Sequence, residues 1–152
     1  MRKIDSNKRR HLAETPKTEF TKEEILDILD FYLQYKPLFD EASTRYVDYL
    51  PLILAAQDFT ALLYEYDIAD TDYFNNMDTI NRKYGKKYIC DLSKENLDFF
   101  EIITVFTFIH RAEHMGYGSC EEFIKDNTYY NLLCRLEEIK TNYKTLKNRR
   151  CR

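Results

Sequence analysis

The sequence predicts an all-α fold, a compact bundle of five to seven helices around a buried central helix at about residues 94–115. Only 3 glycines and 3 prolines occur among the 152 residues, too few for a β-rich fold with many tight turns. Several segments carry apolar residues at helical spacing, and residues that favour helix N-termini precede them. These observations together predict the fold class.

The length of the chain predicts a single domain. A globular chain of this size buries about two-thirds of the surface that it exposes when unfolded, which suffices for a core without disulfides or metals. We expect a disordered basic arm at 1–20, a single helical domain at 21–148 and a basic C-terminal tail at 149–152.

Cysteine spacing and hydropathy predict a cytoplasmic protein of a bacterial host cell. The four cysteines stand far apart without a C-x-x-C pair, which is typical of free thiols in a reducing cytosol. No apolar run approaches the roughly 18 residues of a membrane span, and the basic N-terminus lacks the apolar stretch of a signal peptide. The usage of Lys, Asn, Ile and Tyr is typical of an AT-rich bacterial or phage genome.

The first helix is predicted to begin after Thr21. Thr21 and Glu24 form a capping box, in which each side chain bonds the backbone N–H of the other residue. Apolar residues then recur at helical spacing, and Pro37 is expected to end this helix.

A second helix is predicted at about residues 39–50, after which Pro51 either kinks it or begins a new helix. The apolar residues 52–66 continue the helical pattern, with Asp58 as a candidate cap between two pieces. A short helix then ends near Gly85, and an extended connector is expected at 86–91. The candidate caps of this short helix are Thr71 and Asp72.

The buried central helix is predicted to start at Ser93, a good capping residue, with Asn96 at its third position. Residues 97–109 are apolar on nearly every face, which indicates a helix enclosed by others. Gly116 and Gly118 are expected to terminate it.

Two further helices complete the predicted bundle. Ser119 and Glu122 form a second capping box before a short helix. The last helix begins near Thr128 and carries apolar residues on one face, and its basic end suits the negative end of the helix dipole.

The charge is distributed unevenly along the chain. Residues 1–17 carry a net +4 and residues 140–152 a net +6, so that residues 18–139 hold −13. Runs of like charge often form solvated surfaces. The acidic segment 18–139 can also present a surface that imitates nucleic acid. The basic end supplies candidate nucleic-acid contacts, which are Lys140, Lys144, Lys147, Arg149 and Arg150.

The sharpest motif is His110-x-x-Glu113-His114, which matches the inverted zinc-protease signature H-x-x-E-H. In that signature two histidines of one helix face bind zinc and the glutamate activates water. A third ligand would have to come from the acids that follow, and a short motif often occurs by chance. We therefore expect no metal and no cofactor.

A structural interpretation of the same segment is better motivated. Glu113 falls beside the apolar surface of the central helix, where a carboxylate needs a partner, and Arg135 in the last helix is the candidate. Arg111 could reach acids of another helix. With His114, these residues form a candidate structural or binding cluster, and the sequence lacks the G-x-S-x-G, G-x-G-x-x-G and P-loop motifs of common enzymes.

Four segments of the chain carry a family resemblance: 45–51 (RYVDYLP), 64–67 (YEYD), 107–115 (TFIHRAEHM) with Gly118, and 132–136 (LLCRL). Together they resemble a domain family of unknown function from Gram-positive bacteria and their prophages. The family pattern in this helix ends in R-x-E-R-F. This chain has Arg111-x-Glu113-His114-Met115 there, so His114 and Met115 stand in place of the Arg and Phe of the pattern. The resemblance implies mobile-element biology and brings no activity.

The function predicted from these features is that of a non-enzymatic phage or mobile-element protein that binds a bacterial macromolecule. A phage-encoded inhibitor of a defence system, such as an anti-CRISPR protein, is the concrete version. We expect a protein partner, for example a basic nucleic-acid-binding protein. The alternatives are a nucleic-acid-binding accessory protein that uses its basic termini and a zinc hydrolase; the oligomeric state is open.

Overall fold

Helices form all the regular secondary structure in the parts of the chain that the structure, a computed structural model, describes. Those parts are residues 20–42, 49–65, 69–70, 72–114 and 120–150, without the side chains of 41–42, 64–65, 113–114 and 144–150. The helices are α1 Lys22–Leu33, α2 Lys36–Ala42, α3 Leu50–Glu65, α4 Tyr73–Tyr84, α5 Ile89–Leu92, α6 Phe99–His114, α7 Cys120–Lys125 and α8 Thr128–Arg150. Apart from α5, which is a single turn of 4 residues, the described residues form seven helices and no strand. The predicted all-α bundle of five to seven helices is therefore confirmed.

The N-terminus of α1 has the predicted capping box. The Glu24 N–H donates to the Thr21 hydroxyl at 3.2 Å, and the Thr21 N–H donates to the Glu24 carboxylate at 3.1 Å. These two bonds satisfy backbone donors that a helix start otherwise leaves open.

Both prolines of this region lie in the first turn of a helix. Pro37 is the second residue of α2, and α1 has already ended at Leu33, so the prediction that Pro37 ends α1 was wrong. Pro51 is the second residue of α3 and begins a new helix, one of the two predicted outcomes. A proline is tolerated there because the first-turn N–H groups have no partner within the helix.

The helix α3 continues through Asp58 without a break, so the predicted cap at this residue was wrong. The Asp58 carboxylate instead accepts a hydrogen bond of 2.7 Å from the Tyr35 hydroxyl. This contact, between a residue just before α2 and the middle of α3, holds the two helices together.

The predicted end of α4 is confirmed at Gly85. This residue has a left-handed backbone with φ of 64°, a conformation that glycine adopts without the steric penalty of a side chain. The connector that follows was predicted to be extended, but its second part is the helical turn α5.

The central helix begins at Phe99, five residues later than predicted. Ser93 is the C-cap of α5, and its hydroxyl donates to the Cys90 carbonyl at 2.6 Å. Asp98 and Glu101 cap α6 instead: the Glu101 N–H donates to Asp98 at 2.8 Å and the Asp98 N–H donates to Glu101 at 2.9 Å. The spacing is again that of a capping box.

The predicted burial of the central helix is confirmed. Residues 102–107 are all buried, including the threonines at 104 and 107. The Thr107 hydroxyl donates to the Ile103 carbonyl at 2.8 Å, and the Thr104 hydroxyl donates to the Asp70 carboxylate at 2.7 Å. These bonds remove the penalty of burying a hydroxyl without a partner.

Aromatic rings form the centre of the core, where α1, α3, α6 and α8 meet. The Tyr32 ring stacks on Phe106 with centroids 4.9 Å apart and an interplanar angle of 7°, and it lies 4.9 Å from Phe59. The Tyr129 ring of α8 is 5.9 Å from Phe106. Burial raises the pKa of the Tyr32 hydroxyl, which has no hydrogen-bond partner in the described part of the chain.

A polar network around Glu101 joins α4 to α6. Its carboxylate accepts hydrogen bonds from the Tyr84 hydroxyl at 2.7 Å and the Lys83 ammonium at 3.1 Å. Burial raises the pKa of Glu101, but the bonds from the Asp98 N–H, Tyr84 and Lys83 outweigh it and hold the pKa below its ordinary value of 4.5.

The long helix α8 packs on α1 and continues through Arg150, so it includes two residues that we assigned to the basic tail. Lys140 forms an ion pair with Asp30 of α1. One turn further along α8, the centroid of the Tyr143 ring lies 5.7 Å from the Lys22 ammonium of α1. The described residues of α8 up to Tyr143 are therefore tied to the bundle.

We expect the substitution Phe106→Ala to lower the free energy of unfolding by about 3–5 kcal/mol, because it leaves a cavity among four packed helices. Denaturant unfolding measures the loss. The control Phe74→Ala, at a side chain that is 72% exposed, should change the free energy far less. Equal losses in the two variants would show that Phe106 is not central to the core.

Acid should remove the contribution of Glu101. Because the pKa of this carboxyl is lower in the folded chain than in the unfolded one, the ionised form stabilises the fold above the unfolded pKa, and this contribution disappears as the pH falls through the folded pKa. The stability difference between the wild type and Glu101→Gln, measured by urea unfolding, should therefore be largest near neutral pH and shrink below about pH 4.5. A difference independent of pH would contradict the network.

Candidate functional site

The predicted cluster is divided between two helices. Arg111 lies in the last turn of α6, with its Nε buried and without a hydrogen-bond partner among the described residues. The side chains of Glu113 and His114 lie outside the described residues. Arg135 lies in the middle of α8, and within the described part of the chain no hydrogen bond or ion pair joins it to Arg111.

Arg135 connects α8 to the segment that precedes α6. Its Nε donates to the Leu97 carbonyl at 2.7 Å, and its Nη1 donates to the Glu138 carboxylate at 3.0 Å. The predicted pair between Arg135 and Glu113 falls on a side chain that is not described and stays a prediction. The contacts that are described give Arg135 a structural role.

A polar cleft of about 210 Å³ surrounds Arg135. Among its lining groups, the Asn131 amide donates to the Ser93 hydroxyl at 3.1 Å. Two cationic and two anionic side chains balance each other, so the cleft has no net charge to select an ionic ligand. The lining residues are Ser93, Lys94, Glu95, Asn96, Asn131, Cys134, Arg135 and Glu138.

The thiols and the zinc motif offer no assembled reaction centre in the described residues. Cys90 and Cys134 are free cysteines. Burial, and then the nearby Asp126 carboxylate, raise the pKa of the Cys90 thiol, which disfavours the nucleophilic thiolate. The described residues contain no group of three His, Cys, Asp or Glu able to hold a metal; the zinc motif lies partly outside them.

The basic end of the chain is partly used inside the fold. Lys140 pairs with Asp30, so its charge holds α8 against α1. Lys144, Lys147, Arg149 and Arg150 lie on the last turns of α8, and their side chains are outside the described residues.

Exposed leucines on α2 and α3 were missed by the sequence analysis. Leu50 and Leu54 lie one turn apart on α3 and are 57% and 52% exposed, while Leu38 of α2 is 39% exposed. Leu38 lies three residues after Tyr35. The Tyr35 hydroxyl bonds Asp58, which lies one turn after Leu54 on α3. We call Leu38, Leu50 and Leu54 the leucine stripe. Its signal was present in the segment LPLILAA, which has no polar residue for the solvent side of the helix.

Carboxylates occur in the same helices as the leucine stripe. Asp58 lies one turn after Leu54 on α3, whereas Asp40 accepts a 2.9 Å bond from Lys36, whose ammonium also lies 3.8 Å from Glu137 of α8. The Lys125 ammonium of α7 lies 5.3 Å from the centroid of the Tyr49 ring and pairs with Glu121 at 3.0 Å. Glu121 and its neighbour in α7 therefore lie close to the start of α3.

Comparisons with protein-family models, with curated proteins and with solved structures find no match for this chain. The resemblance to a prophage family therefore stays a prediction. Among the described helices, none combines the length and the apolar character needed to cross a membrane.

We expect Arg135→Gln to lower the free energy of unfolding by about 1–3 kcal/mol, because the variant leaves the carbonyl of the buried Leu97 without its charged donor. Thermal and urea unfolding measure the change. The matched control is Arg82→Gln: Arg82 also pairs with an acid of its own helix, but its side chain is 80% exposed, and such pairs contribute about 0.3–0.5 kcal/mol. If Arg135→Gln loses no more free energy of unfolding than Arg82→Gln, the structural role of Arg135 is contradicted.

Proposed function

We propose that this chain is a non-enzymatic phage or mobile-element protein that binds a basic protein of the bacterial host. The concrete form of the proposal is an inhibitor of a defence system, of the anti-CRISPR type. The observation that carries it is an acidic helical body that also exposes leucine side chains.

The surface charge supports a basic partner. Among the residues whose exposure is described, eleven acidic side chains are exposed against five basic ones, in a segment whose net charge is −13 over residues 18–139. Proteins that hold nucleic acid present the complementary positive potential. An acidic surface can therefore compete with nucleic acid for such a protein, and charge steering accelerates the encounter.

The exposed leucines support a macromolecular partner. Interfaces combine a central apolar contact with a polar rim, and the exposed leucines of the leucine stripe, with Asp58 one turn after Leu54, offer such a contact. The polar cleft at Arg135, in comparison, is lined by groups that already bond each other. Binding is therefore better supported than catalysis.

A second candidate, direct binding of nucleic acid, is favoured by the course of α8. Because this helix runs through Arg150, four cations share its last turns. Lysine and arginine at such density can neutralise phosphates and release counterions.

A capture experiment tests the proposal. We expect tagged full-length protein to retain a basic protein from a bacterial lysate at low salt, and to release it as salt rises. The reason is that the screening length falls from about 10 Å at 0.1 M to about 3 Å at 1 M. Added duplex DNA should displace the partner. Retention that is insensitive to both salt and DNA would contradict the proposal.

The same preparation distinguishes the second candidate. Direct binding of random-sequence duplex DNA in a gel shift, lost when Lys144, Lys147, Arg149 and Arg150 are all changed to Gln, would favour the basic helix end as the working surface. Without such binding, the acidic surface remains the better supported one.

A further inference from the structure

We draw no further inference here: the strongest candidate, the side-chain cluster of Lys36, Tyr130 and Cys134 where α2 packs on α8, holds a single cysteine and a lysine that already forms an ion pair within α2, and nothing in the described part of the chain shows which ligand it would take.

Discussion

The burial of α6 on nearly every side is the constraint on which the rest of the structure depends. Its residues Ile102 and Val105 are 0% exposed and Ile109 is 1% exposed, so other helices must surround it to remove this surface from water. The stack of Tyr32 on Phe106, with Phe59 beside it, shows how the surrounding helices meet there. Close packing of large rings leaves few alternative arrangements of the helices.

Polar contacts at the margins of this core position the connecting segments. Asp70 accepts from Thr104 of α6 and thereby holds the segment before α4, Glu101 gathers donors from α4, and Arg135 holds the Leu97 carbonyl from α8. Each contact joins residues distant in sequence and satisfies groups that packing removes from water. Stability and the placement of the loops are thus set by the same groups.

The enclosure of α6 also explains which side of α3 stays exposed. The helix α3 packs one side on α6, and its opposite side carries Leu50 and Leu54, which no described element covers fully. Asp58, one turn after Leu54 on the same helix, bonds the Tyr35 hydroxyl, so its position follows from the way α2 and α3 pack.

The sequence by itself determined the features that depend on neighbours within a few residues. The capping box at Thr21, the left-handed Gly85 and the apolar run of the central helix were all predictable, because caps and periodicity are local. The choice of Asp98 over Ser93 as the cap of α6 was decided by the tertiary structure, since both satisfy the local rule and the turn α5 occupies Ser93. The tertiary structure also decided the bond of Asp58 to Tyr35, the bond of Arg135 to the Leu97 carbonyl and the exposure of Leu54. Each of these depends on which helix packs opposite. The burial of apolar surface over the whole chain decides that packing.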